Sequence, residues 1–121
     1  MPVKIDAADQ LELLNSFIQS VKDDPRINTV HISLYVSLVS HWYANGQENP
    51  LSVFSREIMP VCKISGAATY HRSIRELHEY GYIKYVPSYN HFLGSLVYIW
   101  IAMGIEILLI QLKVVSIWKQ S

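Results

Sequence analysis

Between residues 63 and 91 the chain gathers the side chains best suited to holding an anion: Lys63, Ser65, Thr69, His71, Arg72, Arg75, Lys84, Tyr89, Asn90 and His91. Arg72 can bond a guanine edge through two parallel donors or clamp a phosphate. Thr69 suits a thymine methyl or a phosphate. His71 can donate or accept near neutral pH. Lys63 and Ser65 stand just before the helix that carries these residues, where phosphates would pass. Together they read as candidate contacts to duplex DNA.

Other chemistry is poorly supported. Five histidines (His31, His41, His71, His78, His91) invite a metal reading, and His71 and His78 are spaced to share a helix face. The chain has neither a Cys-x-x-Cys nor a His-Glu-x-x-His pattern, so ordinary core or surface histidines are the better reading. Cys62 is the lone cysteine, which excludes an internal disulfide and any multi-cysteine zinc site. It reads as a buried apolar residue, because no acid or oxyanion motif marks it as a nucleophile. No P-loop, dinucleotide fingerprint or Gly-x-Ser-x-Gly occurs, so no enzyme and no cofactor is expected. Tyr82, Tyr85, Tyr89 and Phe92 could stack on single-stranded bases. Alternating tyrosines on a hairpin more often pack against one another; Tyr89, near the hairpin tip, is the exception.

These residues need elements to position them. The spacing predicts a first helix from Ala7 to Lys22, capped by Asp6, with Asp9 in its first turn. Its apolar face would carry Leu11, Leu14, Ile18 and Val21, with Phe17 beside them. A second helix should start at Asn28 or Thr29 and end before Gly46. It has two stripes, Ile32–Val36–Val39–Tyr43 and Tyr35–Leu38–Trp42, the mark of a central helix. A short strand, Leu51 to Phe54, leads to a short helix capped by Ser55, reaching about Lys63 and disturbed by Pro60. Ser65 should cap the next helix, Ala67 to Tyr80, which Gly81 ends. Its face of Tyr70, Ile74 and Leu77, with Ser73 beside it, should meet the core. The period then changes to alternation: Tyr82 to Val86 and Ser95 to Trp100 read as two strands joined by an eight-residue loop.

Strand, helix, turn, helix and hairpin follow one another in the order of a winged helix-turn-helix. The run ATYHRSIRELHEYGYIKYVPSYNHFLGS resembles small winged-helix DNA-binding proteins of Bacteroides-type mobile elements. Leu77-His78-Glu79-Tyr80-Gly81-Tyr82-Ile83 follows the broader bacterial pattern, Leu-x-x-x-Gly and then two apolar strand residues. The resemblance covers about residues 51–100. It implies DNA binding, with Thr69, His71 and Arg72 at positions that commonly touch DNA in such folds.

The expected fold is therefore mainly helical with a small β-hairpin: a winged helix-turn-helix domain over residues 1–100, its helix-turn-helix at 55–80 and its wing at 82–100, with extra N-terminal helices. Residues 101–121 read as a separate apolar helix. Ile101, Ile105, Leu108, Leu112 and Val115 form a heptad seam suited to homodimerisation, with packing on the chain's own first two helices as the alternative. Glu106 and Lys113 would sit in lipid at considerable cost, so a membrane span is disfavoured. The expected partners are double-stranded DNA and a second copy, in transcription regulation or control of a mobile element. The rival is a winged-helix protein-interaction module that binds no DNA.

Composition agrees with one folded domain. The 121 residues are 50% hydrophobic and 17% charged, too apolar for general disorder. Ten basic and ten acidic residues balance overall. Residues 1–50 hold three basic against six acidic residues, and residues 51–121 seven against four, so the second half is the better host for a polyanion. Asp6, Asp9 and Glu12 argue against a signal peptide, which leaves the cytoplasm as the expected location.

Overall fold

The computed structural model describes residues 7–88, 90 and 92–99. Four helices, α1 (Ala7–Lys22), α2 (Thr29–Ala44), α3 (Ser55–Cys62) and α4 (Ala67–Glu79), accompany three short strands, β1 (Leu51–Val53), β2 (Ile83–Val86) and β3 (Ser95–Ile99). The protein is thus mainly helical with a small antiparallel sheet, in the order β1-β3-β2. Val97 of β3 pairs with Leu51 on one side and Tyr85 on the other. The alternation that predicts the hairpin also sets its faces, with Ile83, Tyr85, Val97 and Ile99 all turned into the core.

Helix α2 is the hub. Asn28 caps it, its side chain accepting from the backbone N–H groups of Val30 and His31. Leu34, Leu38 and Trp42 are fully enclosed. Ile74 and Leu77 of α4 are equally enclosed, and each such side chain contributes about 1.5–3 kcal/mol through burial. Ser33 Oγ donates to the Cys62 carbonyl at 2.6 Å, tying α2 to the end of α3. Phe17 of α1 stacks on Tyr35 at a centroid distance of 3.8 Å.

Several expectations need correction. In α1 the buried residues are Leu13 and Phe17, with Leu14 and Val21 half-buried; Leu11 and Ile18 are exposed. Leu14, Val21 and Phe17 of the expected face do meet the core, and Leu13 takes the place that spacing gave to Leu11 and Ile18. In α2 the Tyr35–Leu38–Trp42 stripe is buried as expected. Of the other stripe only Val39 is; Val36 and Tyr43 are exposed, and Ile32 is half-buried. Helices α3 and α4 pack on one side of α2 and leave those two positions on the other. Neither serine is a cap. Phe54 occupies the N-cap of α3 and Gly66 that of α4, and neither helix start has a side-chain cap bond. Each serine lies one residue from the position where its hydroxyl would reach the helix amides. Strand β2 starts at Ile83, one residue later than expected, and β3 starts at Ser95 as expected. The Asp6 cap, Trp100 and the whole 101–121 helix lie outside the described residues.

Two left-handed residues close the paired helices. Lys63 (φ 63) ends α3, and the N–H of Ile64 reaches back to the Met59 carbonyl. Gly81 (φ 88) ends α4, and the N–H of Tyr82 reaches the Leu77 carbonyl. The second turn is where the sequence put it. The first is made by a lysine, which composition does not announce.

Candidate nucleic-acid interface

Helix α4 buries Tyr70, Ser73, Ile74 and Leu77 and turns Ala68, His71, Arg72 and Arg75 outward. The 3.6-residue period dictates this split, and it puts three of the expected contacts on one exposed face. Thr69 lies at its margin, half-buried, with its Oγ1 beside the open side of Gly66. Arg75 folds back on the helix, its Nε donating to the His71 carbonyl at 3.1 Å. Among the described residues nothing bonds the Arg72 guanidinium. The first turn of α4 has no acidic residue and no side-chain cap, so its amide groups present the positive end of the helix dipole unopposed. Glu79 is on the same outward face but at the far end.

Lys63 and Ser65 are both exposed in the turn before α4. Asn90 is exposed in the β2–β3 loop. Lys84 is placed differently. It points away from Ile83 and Tyr85, half-buried, with Nζ 4.9 Å from the centre of the Tyr98 ring, and burial lowers its pKa. The structure therefore gathers His71, Arg72, Arg75, Lys63 and Ser65 around α4 and sets Lys84 on the outer face of the sheet. Tyr89, His91 and the seam Ile101, Ile105, Leu108, Leu112 and Val115 lie outside the described residues.

One participant was missed from sequence. A groove of about 310 Å³ runs between α4, the start of α3 and the β2–β3 loop. Arg56 lines it opposite His71, with Phe54, Tyr70 and Asn90, and no carboxylate is among its lining residues. Arg56 is itself exposed and stacks its guanidinium 4.4 Å from the Phe54 ring centre. Only the packing of the first turn of α3 beside α4 reveals it. The sequence showed an arginine in a helix taken merely as support.

The opposite end of α4 is closed by a polar network. The backbone N–H of Asn28 donates to His31 Nδ1 at 3.1 Å, so that nitrogen carries no proton and Nε2 donates to Glu76 Oε1 at 3.1 Å. The Tyr80 hydroxyl donates to Glu76 Oε2 at 3.2 Å. Arg26 stacks 4.2 Å above the Tyr80 ring centre and grips Asp24 with two bonds of 2.8 and 2.9 Å. Asp24 also accepts from the Tyr82 hydroxyl at 2.6 Å. The Arg26 guanidinium, and then the Tyr82 hydroxyl, hold the Asp24 carboxyl well below the usual range. Burial, and then the Asp24 bond, push Tyr82 up to about 12. His78 accepts from the Tyr85 N–H at 3.0 Å. Its pKa is lowered by burial, with Glu79 opposing and Lys84 assisting.

Among the described residues no three His, Cys, Asp or Glu side chains converge to hold a metal, and no helix is long and apolar enough to cross a membrane. No family model, curated protein or solved structure matches the chain.

Proposed function

We propose that this chain binds double-stranded DNA through a winged helix-turn-helix formed by β1, α3, α4 and the β2–β3 hairpin. The observation that carries this reading is the exposed N-terminal half of α4: uncapped, free of acid, and bearing His71 and Arg72 beside Arg56 and Lys63. A helix with such a face fits the major groove, where Arg72 would read a base edge and Thr69 and His71 would lie alongside. Arg56, Lys63, Ser65 and Arg75 would hold phosphates, and the hairpin would lie over the adjacent backbone. Element order and the sequence resemblance support the same reading. The biological role that follows is transcription regulation or control of a mobile element, with the 101–115 seam joining two copies.

The test is binding of the purified chain to random-sequence duplex DNA, followed by fluorescence anisotropy at two salt concentrations. Affinity should fall steeply with salt. Arg72→Ala should cost about 1–3 kcal/mol if Arg72 reads a base. Lys63→Gly should weaken binding to all sequences alike and reduce the salt slope by about one, without harming a backbone already in the left-handed region. No binding at low salt, or indifference to Arg72, would reject the reading. The second reading, a protein-interaction module, draws on the exposed Leu11 and Ile18 of α1 and Val36 and Tyr43 of α2. Binding of that kind would be indifferent to Arg72.

A further inference from the structure

Phe92 is 89% exposed and Leu93 63%, and the two are neighbours in the β2–β3 loop. Their backbone is nevertheless well held. The Phe92 N–H donates to Asn90 Oδ1 at 2.9 Å, and the Leu93 N–H to the Asn90 carbonyl at 3.2 Å. The Asn90 N–H donates to Ser88 Oγ at 3.1 Å. The Leu93 carbonyl accepts from Ser52 Oγ at 3.0 Å, which anchors the loop to β1. Gly94 follows with φ 68, and a Cβ there would lie 3.0 Å from both Ser52 Oγ and the Val53 carbonyl oxygen. The fold thus fixes the loop against β1 while leaving two large apolar side chains in water.

The surroundings say what such a pair would meet. Asn90 and Gly94, which bracket it, both line the groove that holds Arg56 and His71 and no carboxylate. An acid-free cationic groove beside an apolar tip suits a polyanion with an apolar interior, which describes a stacked duplex. We propose that Phe92 and Leu93 form a wedge that enters the minor groove beside the stretch facing α4, partly unstacks one base step and bends the DNA. The inference rests on the DNA-binding reading and adds to it a preference for deformable sequence. Pyrimidine–purine steps such as TpA unstack readily, whereas A-tracts are stiff.

The test uses the full chain and two end-labelled duplexes of about 25 bp, one with a central TpA step and one with an A-tract. Energy transfer between the ends reads the bend, and anisotropy reads affinity. The wild-type chain should raise energy transfer on the TpA duplex and bind it about tenfold more tightly than the A-tract. The double variant F92A/L93A, altered only at exposed positions, should bind both duplexes alike, without bending and with an unchanged salt slope. F92W should retain the bend, and its indole fluorescence should be quenched by stacking. A wild-type chain that binds in a salt-sensitive manner but leaves the duplex straight overturns the wedge alone. So does a double variant that bends DNA as the wild type does. A double variant that changes only the sedimentation of the free protein would make the tip a contact between copies, and the wedge would be wrong. Absence of binding to either duplex at low salt overturns the DNA reading and the wedge with it.

Discussion

At its C-terminal end α4 gives its polar groups partners within the fold. Glu76 accepts from His31 and Tyr80, His78 accepts from the Tyr85 N–H of β2, and Tyr80 lies under Arg26, which is itself paired with Asp24. At its N-terminal end the same helix has no side-chain cap, and His71 and Arg72 face solvent. Both ends carry hydrogen-bonding residues in similar number; the two carboxylates, Glu76 and Glu79, both lie at the C-terminal end, and the ends differ further in how their polar groups are connected. Leaving an enclosed polar group unmet costs about 1–3 kcal/mol, so most groups enclosed against α2 have partners, the Trp42 Nε1–H being an exception among the described residues. Groups facing water are under no such demand and remain available to a ligand.

The contrast can be broken most forcefully in the buried face that holds the whole helix in place. Leu77→Ala removes a fully buried residue and should lower unfolding free energy by about 2–5 kcal/mol in urea titration, damaging both regions together. Glu76→Ala should act on the C-terminal end alone. It leaves the Nε2–H of nearly inaccessible His31 without its acceptor and should cost about 1–3 kcal/mol, with DNA affinity per folded molecule unchanged. Tyr82→Phe deletes one bond to Asp24 and should cost about 0.5–1.5 kcal/mol by the same measurement.

A smaller effect should appear as a pH slope. Because the folded protein lowers the pKa of His78, the unfolded chain binds more protons just below that group's ordinary value of 6.5. The contribution is fully present above pH 6.5 and is lost as pH falls through the folded value. Thermal melts from pH 7.5 to 5 should show this, and His78→Gln should flatten that part of the curve. Smallest of all, Arg72→Ala should alter stability by no more than about 0.5 kcal/mol, since no described residue holds its guanidinium. A larger loss would place Arg72 with the committed groups and undo the contrast between the ends.

Much of this scaffold was legible in the sequence. Helix bounds followed from Asn28 and from Gly81, where chemistry at one position fixes the backbone. The buried face of α4 followed from periodicity, and so did the exposure of His71, Arg72 and Arg75. The misreadings share a cause. Leu11, Ile18, Val36 and Tyr43 are apolar at helical spacing, but spacing states only that residues share a face, not that anything covers it. The serine caps failed because Ser55 and Ser65 lie one residue from the required geometry. Arg56 was illegible for a different reason: its relevance depends on α3 and α4 meeting in space. The chain from Asn28 to Tyr82 through His31, Glu76, Tyr80, Arg26 and Asp24 likewise joins residues far apart in sequence.

The sheet order carries a consequence for how the molecule assembles. Strand β1 precedes both helices of the proposed reading unit, yet its partner is β3, the last described strand, with Leu51 opposite Val97. The β2–β3 hairpin joins neighbours in sequence and can close early. Strand β1 has nothing to pair with until β3, which follows both helices and β2 in the chain, has been made. Closing it is the long-range step, and long-range pairing sets the pace of folding. In a chain still emerging from the ribosome, the helices would form while the segment that completes their sheet was yet to be made.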